Sequence, residues 1–351
     1  MTAPATSSIF SETQRPNEAW LAKAVPEAAL EPDLPIIDPH HHFWHHKSGY
    51  KYFVEELAQD AMASGHKLEA TVFVEANAMY RANGPEHLKS VGETEFATGM
   101  SAIAASGKYT HIRAAAGIVA YADLMWDDGL LEEALDAHES AANGRLRGIR
   151  QRAKADPDPV VAGPVRSGNP NLFQEPQFRK GLKRLAARDL SFDVSIFHPQ
   201  LHKVIDLARA VPEANLVVIH SASPLGFGSY AGRETEMHAQ WHAGMRELAA
   251  CPNVSVKMGG LLMCLGNFDF STAERPPTSE ELVKLWNPYI ADCIELFGAE
   301  RCMVSSNYPV EKAGLPYGVI WNMFKRVAAG CSDAEKTALF SGTAKRVYRL
   351  D

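Results

Sequence analysis

A (β/α)8 barrel of the TIM type with an N-terminal arm is the fold that this 351-residue sequence predicts. Three observations point there. Short apolar, β-branched runs alternate with longer stretches of helical periodicity, which is the pattern of a parallel sheet with crossover helices. Eight such runs can be counted, and several are continuous Val/Ile/Leu segments, as strands covered by helices on one side and a barrel interior on the other require. Polar residues, four of them histidines, sit at the carboxyl ends of these runs, the face on which a barrel carries its chemistry.

Taken in order, residues 1–33 are rich in Ala, Pro, Ser and Glu and form an expected arm, which either lies over the body or reaches a neighbouring subunit of a homo-oligomer. The barrel domain is then 34–351. Its expected strands are 35–42, 70–77, 112–120, 146–152, 192–199, 216–221, 254–259 and 302–307. Helical periodicity falls on 93–106, 129–142, 176–188, 201–210, 237–250 and 280–297, the last containing Pro288, whose missing N–H should kink or split it. A final helix opens on the capping box Ser332-Asp333-Ala334-Glu335 and runs through Val347. Stretches rich in Gly, Pro and Ser at 155–175, 221–235 and 259–279 follow the fourth, sixth and seventh strands and are the loops expected to carry specificity.

Composition narrows the function. With 46% hydrophobic residues the chain can fill a large core, and 35 basic against 42 acidic residues, without a basic block, argue against a nucleic-acid partner. Five cysteines (251, 264, 293, 302 and 331) are an odd number with no C-x-x-C pair, which suits a reducing compartment; Cys264 is expected to be a buried structural thiol. No basic start precedes an apolar segment and no apolar run approaches about 18 residues, so neither export nor membrane spanning is expected and the cytoplasm is the default. A small-molecule substrate is the expected partner.

The densest chemistry is in Asp38-Pro39-His40-His41-His42-Phe43-Trp44. Side chains alternate along a strand, so His40 and His42 point one way and His41 the other. Two imidazoles converging at a strand end suit a metal. Glu75, Arg150, His198, His220 and Asn307 end five further strands. A lone histidine there is more often a satisfied structural group than a ligand, but four on corresponding strand ends are harder to assign to chance.

Together with Arg147-Gly148-Ile149-Arg150, Phe197-His198-Pro199-Gln200-Leu201, Val218-Ile219-His220, Val256-Lys257-Met258-Gly259-Gly260 and Phe297-Gly298-Ala299-Glu300-Arg301-Cys302-Met303, that segment resembles the amidohydrolase superfamily. The closer match is the amidohydrolase-2 branch holding sugar-acid and 2-pyrone-4,6-dicarboxylate lactonases. The resemblance runs from about Pro35 to the end and implies the same barrel. It implies His40, His42 and His198 as metal ligands and His220 as an acid/base or carbonyl-polarising group. The family's strand-eight aspartate falls at Asn307, in Val304-Ser305-Ser306-Asn307-Tyr308-Pro309-Val310.

A neutral amide is a poor metal ligand and no base. In one reading Asn307 binds water or substrate while Glu75 or His220 is the base. In the other the metal site is degraded and catalysis proceeds without metal. The first is preferred, with zinc suiting three nitrogen donors and a water, and manganese second. Arg150 is expected either to hold a substrate carboxylate or to form a barrel-end ion pair. Lys257, inside the seventh strand, must be paired or reach a substrate anion, and Tyr308 is expected at the pocket rim. The leading expectation is a metal-assisted hydrolase opening a lactone or related cyclic ester of a small carboxylated molecule. A non-oxidative decarboxylase is the alternative enzyme, and a catalytically inactive binding barrel the alternative class.

Overall fold

The computed structural model describes residues 16, 18–46, 49–162, 169–265 and 273–350, with Met263 and Cys264 as backbone only. The thiol of Cys264 and parts of the loops at 155–175 and 259–279 therefore lie outside the described residues.

Eight strands pair in sequence order, all parallel: β1 (Ile36–His41), β2 (Leu68–Val74), β3 (Arg113–Ala120), β4 (Leu146–Ile149), β5 (Ser191–Val194), β6 (Asn215–Val218), β7 (Val254–Met258) and β8 (Cys302–Val304). Beyond the end of β8 the chain returns to β1. Asn307 N–H donates to the His40 carbonyl at 2.9 Å and His42 N–H donates to the Tyr308 carbonyl at 2.7 Å. The barrel is thus drawn together by the residues that carry the histidine pair. Several strands are shorter than expected at their carboxyl ends: 146–152 yields Leu146–Ile149 and 192–199 yields Ser191–Val194. There the chain leaves the ladder to build the mouth.

The outer layer is α1 (Val54–Ser64), α2 (Val91–Ala105), α3 (Asp128–Ala142), α4 (Pro176–Ala187), α5 (Leu201–Ala210), α6 (Glu234–Ala249), α7 (Ser279–Phe297) and α8 (Tyr317–Val327). Pro288 lies inside α7 without splitting it. Helices α1 and α8 are additions to the expected set. The last helical stretch has its Ser332–Glu335 capping box, a π-turn over Ala338–Gly342, and ends with α9 (Thr343–Tyr348).

That end of the chain decides which face is open. Val347, Tyr348 and Leu350 pack with the inward residues Ile37, Val72, Val119, Val217 and Met303. Asn215, the first residue of β6, donates to the Val347 carbonyl, and Thr343 Oγ1 donates to the Ala299 carbonyl just before β8. The amino-terminal end of the barrel is therefore plugged, which leaves the carboxyl ends of the strands for chemistry. From the amino-terminal segment, Glu27 accepts from the Ser279 amide and the Asn322 side chain, and Lys325 donates to the carbonyls of Leu30 and Glu31. Among the described residues, no helix is long and apolar enough to cross a membrane.

Candidate active site

Three histidine rings meet at the barrel mouth. His40 and His42 lie edge to face with centroids 5.0 Å apart, and His220 stands 4.6 Å from His40. His41 points away, packed on Phe43 and Phe73 and bonded through Nε2 to Thr71. Pro39 has no N–H for the ladder, and the β1–β2 register slips between Asp38 and His41. Asp38 sits behind the cluster, accepting from the His40 and Ser306 amides and the Ser306 hydroxyl. Burial pushes its carboxyl up to about 6 against those hydrogen bonds and the Lys257 charge.

His220 is presented by an unusual backbone. Residues His220, Ser221, Ala222 and Ser223 all have positive φ, between 46° and 61°, although none is glycine. Each such residue costs on the order of 1–2 kcal/mol. The turn is clamped by the Ser223 N–H to His220 carbonyl bond at 2.7 Å and by Trp241 Nε1 donating to the Ser221 carbonyl at 2.7 Å. Strain of this kind persists where the surroundings over-determine it, typically at working sites.

Carbonyl oxygens only accept, which assigns two tautomers. His42 Nδ1 faces the Val74 carbonyl at 2.7 Å and His220 Nδ1 the Gly259 carbonyl at 3.1 Å, so in each neutral ring Nδ1 carries the proton and Nε2 keeps its lone pair. Burial, then the positive charges of Lys154 and Arg150, hold His220 well below the usual histidine range; burial and then Arg150 do the same to His42. Both rings are neutral at pH 7.

Positive charge faces these rings from one segment. Arg150 donates through Nε to Glu75 Oε1 at 2.7 Å and through Nη2 to the Glu75 carbonyl, which leaves Nη1 3.5 Å from His40 Nε2. Arg152 forms an isolated parallel bridge with Ser195; Arg150 and Arg152, two residues apart, both reach Glu75, and Lys154, its ammonium over the Phe197 ring, adds its charge at His220. Burial works to raise the Glu75 pKa, but Arg150 and Arg152 outweigh it and hold the group ionised. Glu75 is therefore an anchor for two arginines and a poor base. Glu93, beneath it, caps the Ala76 and Ala78 amides at 2.8 Å; burial and then Glu75 push its carboxyl up to about 8. Arg152 and Lys154 escaped the sequence reading, although an Arg-x-Arg-x-Lys run leaving a strand was a legible signal.

His198, Lys257 and Tyr308, also expected at the site, fall elsewhere. His198 does not join the cluster. Its Nδ1 accepts from the Leu225 N–H at 3.2 Å and its ring lies beside Tyr230. In the neutral ring Nε2 then carries the proton and has no lone pair for a metal. Burial keeps the ring neutral by lowering its pKa to about 4. Lys257 is fully buried inside the barrel, 2.6 Å from Asp193. Tyr308 is a core residue rather than a rim residue: it is 1% exposed, packs on Tyr52 and Tyr317, and donates its hydroxyl to the Leu315 carbonyl. Asn307, by contrast, stays beside the histidine pair on the closing seam, its backbone N–H on the His40 carbonyl and its side-chain amide donating to Glu311 Oε1 at 3.3 Å.

These positions test the expected metal. The lone pairs of His42 and His220 suit a ligand as well as a base, but the rest of the set does not fit. The third expected donor has its Nδ1 occupied by the Leu225 amide, residue 307 is a neutral amide, and a guanidinium stands against His40. Among the described residues, no three His, Cys, Asp or Glu side chains are grouped to hold a metal ion.

Comparison with known proteins gives the family of the chain. The family model described as Amidohydrolase matches residues 37–350. The chain belongs to the amidohydrolase family. This amidohydrolase is 30% identical over 331 residues to the uncharacterized protein y4mH of Sinorhizobium fredii, covering 91% of this chain and 99% of that one. It is 24% identical to the L-fucono-1,5-lactonase of Burkholderia ambifaria, over 90% of this chain and 96% of the relative. Among solved structures it is similar to a Burkholderia multivorans amidohydrolase with bound zinc, at TM-score 0.68 and 25% identity, covering 90% of this chain and 99% of that chain.

Proposed function

We propose that this amidohydrolase opens the ring of a lactone or related cyclic ester bearing a carboxylate. The observation that carries the reading is the meeting of a base-competent His220 Nε2 with the cationic edge of Arg150, Arg152 and Lys154 at one barrel mouth. Water adds to the ester carbonyl as its proton passes to His220 Nε2. The carbonyl carbon–ring oxygen bond then breaks, and the proton passes from His220 to the departing ring oxygen, giving a hydroxy acid. Arg150, fixed by Glu75, can face the developing oxyanion with Nη1 or take the substrate carboxylate. A bound anion also offsets the charges that depress His220, making it a better base when substrate is present. The resemblance to L-fucono-1,5-lactonase supports ring-ester chemistry. None of these steps uses a metal.

The test is a panel of 2-pyrone-4,6-dicarboxylate, its uncharged counterpart 2-pyrone and the neutral L-fucono-1,5-lactone, with a carboxylated aromatic acid as the decarboxylation arm. Carboxylated lactone is expected to be opened with kcat/KM at least about tenfold above its uncharged counterpart, the scale of one charge-assisted contact. Release of carbon dioxide without ring opening would transfer the protein to decarboxylases. His220→Asn, which cannot accept the proton, should lower kcat by about 10²–10⁴.

Metal removal gives a separate expectation. Protein dialysed against chelator should keep its melting temperature and most of its turnover. Loss of turnover that returns with one equivalent of zinc would reinstate a metal at His40 and His42.

A further inference from the structure

Glu311 belongs to no step described above, yet it is 1% exposed and lies one helical turn beyond Asn307. Its carboxyl accepts from the Asn307 side-chain amide at 3.3 Å and faces the backbone N–H of Leu262, which favours its charged form. Burial pushes this carboxyl up to about 8, and the groups that oppose the shift are those two neutral donors. A buried carboxyl held only in this way is costly to keep, and an apolar residue would fill the space more cheaply.

Its two partners belong to the loops flanking the histidines. Leu262 follows Gly259 and Gly260, which hold His220: one accepts its Nδ1–H, and the other leaves room for its ring. Asn307 is pinned through its own amide to the His40 carbonyl. Glu311 thus ties the loop after β7 to the seam between β8 and β1. The pairing also has a chemical logic. With aspartate at 307, two carboxyls would face each other at about this distance and could not both ionise. With asparagine, one amide N–H and one carboxyl are complementary.

We infer that Glu311 is a positioning residue that orients the Asn307 side chain at the barrel mouth. The inference rests on the lactonase reading for its kinetic arm only. In a mutant cycle, Glu311→Gln should lower kcat on the best lactone of the panel by roughly tenfold to 100-fold, in line with misplacement of a site group. KM should change less than threefold. The exchanged pair Asn307→Asp/Glu311→Gln, with carboxyl and amide transposed, should recover most of the lost kcat. Asn307→Asp alone, with two facing carboxyls, should melt below both the wild type and the exchanged pair at pH 8.

Unchanged kcat in Glu311→Gln, or an exchanged pair no faster than Glu311→Gln, overturns the positioning role. Should the wild type open no lactone, the proposed function fails while the melting arm still decides the pairing. In that case an exchanged pair no more stable than Asn307→Asp overturns it.

Discussion

Gly260→Ala is expected to lower kcat/KM by about 100-fold or more while the protein still folds. An alanine Cβ at this position would lie 2.3 Å from His220 Nδ1 and 2.7 Å from its Cε1, distances that no side chain tolerates. The imidazole is the movable partner, because the backbone of the turn that carries it is clamped. Once displaced, it loses the Gly259 carbonyl that fixes its tautomer, and with it the lone pair aimed at the mouth. Misplacing a catalytic group by about 1 Å typically costs about 10²-fold, and a general base contributes about 10²–10⁴. Gly260 also has φ +65°, so alanine adds roughly 1–2 kcal/mol of backbone cost. Gly107→Ala is the matched control: its φ is +70° and its added Cβ meets nothing within 4 Å. The control should lose a similar amount of stability and keep full turnover. If Gly260→Ala retained more than a tenth of wild-type kcat/KM, His220 would not be the group that matters.

The same residue marks the limit of what the sequence discloses. The barrel was legible because it rests on periodicity: Val/Ile/Leu runs at strand positions and capping signals at helix ends are local properties. The alternation of His40, His41 and His42 was equally local, and the rings divide as a strand requires. Where His198 and His220 stand relative to that pair was not, since it depends on where each strand leaves the ladder. After β5 the chain turns into a 3-10 segment at His198, which is bonded to the Leu225 amide. After β6 it enters a left-handed turn that no residue type announces, because serine and alanine ordinarily avoid it. Glu311 escaped for another reason. Its signal is an asparagine at one position answered by a carboxyl four residues later, and that has meaning only once both side chains are placed.

Lys257→Met should cost about 3–5 kcal/mol of stability, the usual penalty for breaking a buried ion pair by removing one partner. Lys257 and Asp193 are both fully buried, 2.6 Å apart. The Tyr348 hydroxyl donates to the other oxygen of Asp193 at 2.8 Å, and the Lys257 ammonium lies 4.7 Å from the Tyr348 ring centroid. Tyr348 belongs to the plug of the barrel, so the pair joins β5 and β7 to the C-terminal helix rather than to the mouth. Methionine at 257 would leave the Asp193 carboxyl in the core without its cationic partner, held by the Tyr348 hydroxyl. The double variant Asp193→Asn/Lys257→Met removes both charges and should regain most of the loss, because a buried pair is often no more stable than its neutral replacement. Its kinetics separate the structural role from the substrate contact expected of Lys257. Removing both charges leaves the net charge beneath His40 and His220 unchanged, so KM for a carboxylated lactone should stay within about threefold, well under the tenfold that 1.4 kcal/mol of binding represents. A double variant that unfolds at the wild-type urea concentration but binds the anion tenfold more weakly would return Lys257 to the site.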